Sequence, residues 1–252
     1  MNILLTNDDS IESEGLKALG KELSAIGRVF VVAPQKPQSA GSHATTLHKP
    51  LRAEKFSLNI GEVSSFRVSG TPCDCVLLGI DLLIKETVDI VVSGINKGPN
   101  LGDDVIYSGT VAGAREGAIN NKLSFAISVN DFENPDFIYI SKLSVKIIDN
   151  LIKITERKDL YFNINFPNLR KTTIKGVKFA RLARRRYKNR ITVGKDPFQK
   201  EFYWIGGTLD DPLEEGTDSK YVEEGFIAIT PLLIDQTNFD VLNEFKNFEI
   251  KI

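Results

Sequence analysis

The sequence predicts a doubly wound, Rossmann-like α/β fold with a mostly parallel sheet, and three observations carry that prediction. Short apolar runs alternate with amphipathic segments through about residue 180. The runs are continuous rather than alternating, as in strands covered on both faces. Polar and glycine-rich segments follow several of them, where open α/β sheets gather ligands.

Ile3 to Leu5 opens the first strand, and a helix is expected near Gly15 with Leu16, Leu19, Leu23 and Ile26 on one face. Gly27 fits the end of that helix, and Val29 to Ala33 reads as the second strand. Phe66 to Ser69 is the next strand. Thr71 caps the following helix, with Pro72 at its first position. Ile90 to Val92, a helix from near Thr110 to Ile119, and Phe125 to Ser128 continue the alternation. Ile140, Leu143, Ile147 and Leu151 form the last amphipathic stripe, before the strand Tyr161 to Phe166. Residues 1–180 are thus expected to form the main α/β domain. Residues 181–225 lose this periodicity, although Phe202–Ile205 and Phe226–Ile229 are strand-like. Residues 181–252 are read as an extended hairpin arm, a closing strand and a terminal helix used in oligomerisation, all part of the same structural unit.

The chain of 252 residues is long enough for one sizeable core. Its 32 basic and 33 acidic residues give a net charge of -1, which argues against stable nucleic-acid binding as the main role. No apolar run reaches bilayer length, and Met1 to Leu5 lacks the pattern of a signal peptide, so a cytoplasmic location is expected. Cys73 and Cys75 are expected to be small buried side chains: their spacing suits neither a disulfide nor a zinc finger.

Three segments hold candidate chemistry. Thr6-Asn7-Asp8-Asp9 follows the first strand. Adjacent carboxylates that converge at a turn repel each other, and a hard cation such as Mg²⁺ or Mn²⁺ relieves that repulsion. The same residues also read as a solvated loop, or as Asp9 or Ser10 capping the next helix. Pro37 to His43 follows the second strand and includes Ser39, Gly41 and His43. It offers hydroxyls and close backbone approach, or is a plain surface turn. The third segment runs from Ser93 to Thr110, with glycines at 94, 98, 102 and 109. Asn96 offers an amide oxygen to a metal. Ser108-Gly109-Thr110 opens a helix whose free N–H groups favour a phosphate.

These motifs resemble those of the SurE (survival protein E) nucleotidase family. The resemblance runs through Ile3–Asp9, Val31–Pro34, Gly70–Cys75, Val91–Asn96, Gly98–Val111, Asn163–Pro167 and Ile229–Leu232. It implies one divalent metal ion per subunit, Mg²⁺ or Mn²⁺, held by Asp8, Asp9, Ser39 and Asn96, with phosphate near Ser108, Gly109 and Thr110. It further implies hydrolysis of nucleoside 5'- and 3'-monophosphates, action on short polyphosphate, and a dimer or tetramer with exchanged C-terminal arms. Asn7, Gly41 and His43 join the expected substrate contacts. The chain departs from the family pattern at Ser10, which replaces a usual glycine and restricts the turn if positive φ is needed. It also departs at Gln35 and in the order of small residues at 39–44.

The expected chemistry is metal-assisted hydrolysis, with Asp8 and Asn96 as catalytic residues and Asp8 orienting or deprotonating the water. A covalent aspartyl-phosphate is the alternative route. Hydrolysis of another class of phosphate ester is a competing activity. A Mg²⁺-binding phosphoreceiver would share the acidic pair but needs an aspartate where Asn96 stands. A nucleic-acid-binding module would use Arg181, Arg184, Arg185, Arg186, Lys188 and Arg190, a run that also reads as a solvated face.

Overall fold

The computed structural model describes residues 1–248; the predicted C-terminal segment extends beyond them. β1 (Asn2–Thr6), α1 (Glu14–Leu23) and β2 (Arg28–Pro34) form a βαβ unit, with Leu5 opposite Val31. Ser13, rather than Asp9 or Ser10, caps α1 by accepting from the Leu16 N–H. The helix stops at Leu23, and Ser24 is its cap. Gly27 is therefore not the C-terminal cap expected from the sequence. Its backbone lies against β1 instead, where a Cβ would sit 2.7 Å from the Met1 carbonyl oxygen.

β3 (Ala53–Lys55), an exposed strand with no clear sequence signal, is followed by β4 (Ser64–Val68) and α2 (Pro72–Leu78). Thr71 and Asp74 form a reciprocal capping box at the start of α2, as local sequence predicts. Next come β5 (Ile90–Lys97), a 3₁₀ turn (Gly102–Ile106), α3 (Gly109–Ile119), β6 (Leu123–Val129), α4 (Phe137–Ile154), β7 (Leu160–Phe166) and β8 (Val177–Phe179). The arm comprises β9 (Arg186–Lys188), β10 (Ile191–Lys195), β11 (Glu201–Ile205) and β12 (Thr208–Asp210). α5 (Asp218–Glu223), β13 (Ile227–Leu233) and α6 (Phe239–Phe245) complete the described chain.

The main sheet has the order β3-β4-β2-β1-β5-β6-β7-β13-β8. Strands β4 through β7 in that order are parallel, whereas β13 runs antiparallel to β7. The chain winds from β1 through β2 to β4 on one side, then returns to β5 and winds the other way. The order therefore reverses between β1 and β5, the place where a doubly wound sheet opens a crevice.

Successive residues of β1 point to opposite faces. Ile3 and Leu5 join Leu16, Leu19, Ile140 and Ile148 in a core shared with α1 and α4. Leu4 packs on the other face with Val76 of α2, while Val111, Ala114 and Ala118 of α3 meet Ala126 and Tyr161. β10 pairs with β11 and β9 with β12, and this ladder leaves Ile191, Val193, Trp204 and Ile205 exposed. Among the described residues, no helix is long and apolar enough to cross a membrane.

Candidate active site

Three loops meet at the reversal point because backbone hydrogen bonds stitch them together. The Gln38 N–H donates to the Asp8 carbonyl at 2.8 Å, joining the loop after β2 to the end of β1. Ser42 donates from its N–H to Tyr107 O at 2.9 Å and from its hydroxyl to Ile106 O at 2.7 Å, joining that loop to the segment before α3. The turns need unusual backbone: φ is 92° at Ser10, 56° at Ala40 and 51° at Ser42. Such a φ at position 10 favours glycine, and this chain places serine there under strain.

The resulting crevice, about 270 Å³, is lined by Asp8, Asp9, Ser39, Asn96 and Ser108, among others. Sequence reasoning named these five, and the fold brings them together. β5 runs five residues past the predicted Val92, to Lys97, with its register against β6 shifting between Ser93 and Asn96. Gly94 permits this irregularity: its φ is 141°, and a Cβ there would meet the Ile127 carbonyl at 2.5 Å. Asn96 donates from its amide nitrogen to Gly98 O at 2.8 Å, leaving its amide oxygen for a ligand.

Asp8 is buried, and Thr110 Oγ1 donates to its Oδ1 in a short hydrogen bond. Burial pushes the Asp8 carboxyl up to about 6, and the neighbouring Asp9 charge adds to the rise although the Thr110 bond opposes it. Burial also raises Asp9, against the Lys97 N–H that donates to its Oδ2 at 3.2 Å. Among the described residues, no cationic side chain forms an ion pair with either carboxylate. Two carboxylates without an ion-pair partner, a hydroxyl and an amide oxygen make a hard, all-oxygen donor set that fits Mg²⁺ or Mn²⁺.

The N-terminus of α3 borders the same crevice. Ser108 caps the helix by accepting from the Val111 N–H at 3.0 Å. A Cβ on Gly109 would lie 2.9 Å from the Asp8 Cβ, so glycine lets the helix end approach the carboxylate. Thr110 lies behind Asp8 rather than on the crevice wall.

Three predicted substrate contacts are placed elsewhere. Asn7 is fully buried and donates to Ser10 O and Ser13 Oγ, fixing the turn. Gly41 donates from its N–H back to Gln38 O. His43 turns to Glu116, with Nε2 and Oε2 2.6 Å apart. None of the three lines the crevice.

Other residues escaped the sequence reading. Asn100 bridges the long loop to the sheet: its N–H donates to Asn165 Oδ1, its amide to Ser128 Oγ, and its carbonyl accepts from Asn163 and Asn165. Two asparagines within the otherwise apolar β7 were the available signal. Phe132 packs over Gly98 at the crevice edge and had none. A second groove of about 860 Å³ adjoins the crevice, sharing Asp104 and Tyr107 and reaching Arg185, Arg190 and Gly206 of the arm. Much of the basic run is paired rather than free: Arg181 with Glu214, Arg185 with Asp104 and Asp211, and Lys188 with Asp210.

Fold and site together define a doubly wound α/β protein whose switch point presents an acidic, all-oxygen crevice beside the N-terminus of α3. The family model described as "Survival protein SurE" matches residues 3–189. A protein named 5'-nucleotidase SurE from Moorella thermoacetica is 44% identical over 97% of this chain and 94% of its own. One of the same name from Aquifex aeolicus is 42% identical, covering 98% of this chain and 97% of its own. A crystal structure of the Aquifex aeolicus SurE protein superposes with a TM-score of 0.85 at 40% identity, covering 99% of this chain and all of that one. The chain belongs to the SurE family.

Proposed function

We propose that this chain is a divalent-metal-dependent phosphatase that hydrolyses nucleoside 5'-monophosphates, and 3'-monophosphates and short polyphosphate as well, to release phosphate. The observation that carries the reading is the convergence of Asp8, Asp9, Ser39 and Asn96 beside the N-terminus of α3, in a family whose relatives bear the name 5'-nucleotidase. Those four side chains hold the metal, Mg²⁺ or Mn²⁺. When bound, the metal supplies charge that polarises a phosphoryl oxygen and makes a nearby water more acidic.

The chain's own groups do the rest. The N–H groups at the N-terminus of α3 take the phosphate oxygens, although the Thr110 N–H is shared with the Asp8 carboxylate, and the positive end of α3 favours the charge that develops there. Asp8 orients the attacking water and accepts its proton; Thr110 holds the carboxylate in place for that role. Asn96 presents its amide oxygen from the irregular end of β5. The small crevice suits a phosphate, and the adjoining groove, with Tyr107 on its wall, suits a nucleoside.

Residues 1–180 carry the metal and phosphate groups in this reading; the arm serves assembly and also walls the adjoining groove, while β13 closes the main sheet. The exposed apolar side chains Ile191, Val193, Trp204 and Ile205 support a dimer or tetramer with exchanged arms. Phosphate release from a panel of nucleoside monophosphates, with Mg²⁺ or Mn²⁺ and then with chelator, tests the activity. Metal-dependent release supports it; no release with either metal overturns it. Light scattering after size exclusion tests the assembly, which a monomer at micromolar concentration would exclude.

A further inference from the structure

We propose that His43, Cys73 and Glu116 form a second metal site, separate from the crevice and selective for Zn²⁺ or a cation of similar affinity for thiolate and imidazole. One ring nitrogen of His43, the Cys73 Sγ and a Glu116 carboxylate oxygen all lie within 4.8 Å of one another. They come from three different elements: the loop after β2, the first turn of α2, and the body of α3.

The site is screened from solvent and partly braced. Cys73 is fully buried and Glu116 nearly so, while the His43 side chain is 20% exposed. Glu116 Oε2 meets His43 Nε2, and its other oxygen accepts from Asn120 Nδ2 at 2.9 Å, a contact that holds the carboxylate's orientation. His43 Nδ1 is buried and has no hydrogen-bond partner among the described residues. Asp74, although beside Cys73, is occupied by Thr46 and Thr71 and stays out of the set.

The donor chemistry differs in kind from that of the crevice. Nitrogen, sulfur and one carboxylate oxygen are each zinc donors, and three protein ligands leave the fourth tetrahedral position open, as in catalytic zinc sites. Zinc bonds of about 2.0–2.3 Å place tetrahedral donors roughly 3.3–3.6 Å apart. The His43–Glu116 contact of 2.6 Å must therefore open by roughly an ångström or less, within reach of side-chain rotation. Burial, with the Glu116 and Asp74 charges nearby, pushes the Cys73 thiol up to about 12, so it is protonated without metal. A bound cation displaces that proton to solvent and takes the thiolate. The oxygen-only crevice suits harder ions, so the two sites sort metals by softness. An ion here would clip the loop that carries Ser39 to α3, whose N-terminus faces the crevice.

Co²⁺ added to the metal-stripped full-length chain reports the ligands directly. The expected result is a thiolate-to-cobalt charge-transfer band that saturates at one equivalent and is displaced by Zn²⁺. The band persists in Asp8→Asn and Cys75→Ser and disappears in Cys73→Ser. Zn²⁺ is also expected to raise the Tm of wild type and Asp8→Asn but not of Cys73→Ser. Absence of the band in folded wild-type protein, or its survival in Cys73→Ser, overturns the site. Both outcomes are independent of nucleotidase activity.

Discussion

Arg185, at the root of the arm, donates from Nη1 to the Asp104 carboxylate in the 3₁₀ turn that leads into α3. Tyr187 donates to the same carboxylate at 2.6 Å. Nearby, Asp218 accepts from the N–H groups of Gly102 and Ala183. The arm root and the crevice loop are therefore one bonded unit. Arg185 has a side chain only 8% exposed, so removing it leaves Asp104 and the buried Asp211 without their cation. Replacing Arg185 by Leu is expected to cost about 3 kcal/mol in urea unfolding, the scale of a broken buried pair, with Lys intermediate. A loss within about 0.5 kcal/mol would place the pair with ordinary surface bridges.

Asp8→Asn separates function from stability. The wild-type carboxyl is buried, sits next to Asp9 and is raised to about 6, so its ionised form is disfavoured in the metal-free fold. Asparagine has the same shape without the charge. Phosphate release is expected to fall by roughly 100-fold or more, the scale of losing one group that stabilises the reacting centre. The metal-free Tm at pH 8 is expected to hold or rise. A variant that keeps full turnover removes Asp8 from the mechanism.

Ser10 holds a φ of 92°, a conformation suited to glycine. Ser10→Gly should relieve that strain, offset in part by greater freedom in the unfolded chain. The expected gain is about 0.5–1 kcal/mol, read from denaturant midpoints at unchanged slope. Destabilisation would mean that contacts of the serine side chain outweigh the strain.

This turn illustrates what was legible in the sequence. Local signals carried well: the Thr71–Pro72 helix start, the apolar run of β1, and the glycine-rich segment leading to Ser108 each act over a few residues. The convergence of the three loops was expected from the doubly wound fold class, in which ligands gather beyond the carboxyl ends of the strands. Side-chain direction did not carry. His43 sits in a loop whose aim is set by Glu116, 73 positions away. Asn7, expected as a substrate contact, donates its amide nitrogen to the local turn. The Asp104–Arg185 and Gly102–Asp218 bonds span 81 and 116 positions, beyond any periodicity.

Acid sensitivity is expected from a different carboxylate. Burial pushes Asp131 up, but N–H donors from Glu133 and Asn134 and the Arg170 guanidinium outweigh it and hold the group below its ordinary value. The folded state therefore binds this proton less readily than the unfolded state. The stabilisation is present above the ordinary aspartate pKa of about 3.9 and is lost as pH falls through the lower folded value. Asp131→Asn should lose stability at pH 7 and show a shallower decline below about pH 4. Equal acid slopes in the two proteins would assign the decline to other groups.

Asn165 tests whether the buried polar network positions the crevice loop. Its Oδ1 accepts from the Asn100 N–H at 2.9 Å and its amide donates to the Asn100 carbonyl at 2.9 Å. Asn163 gives that carbonyl a second donor, whereas the N–H depends on Asn165 alone. Asn165→Leu thus strands one buried donor, at a cost of about 1–3 kcal/mol. Asn163→Leu leaves the Asn100 carbonyl one partner and should cost less. Asn100 lines the crevice four residues from Asn96, so a slackened loop reaches the catalytic groups. Asn165→Leu is therefore expected to lower kcat while the protein remains folded, and Asn163→Leu to lower it less. Unfolding curves and phosphate-release rates on both variants decide the matter, and equal effects would show that the network acts only as core packing.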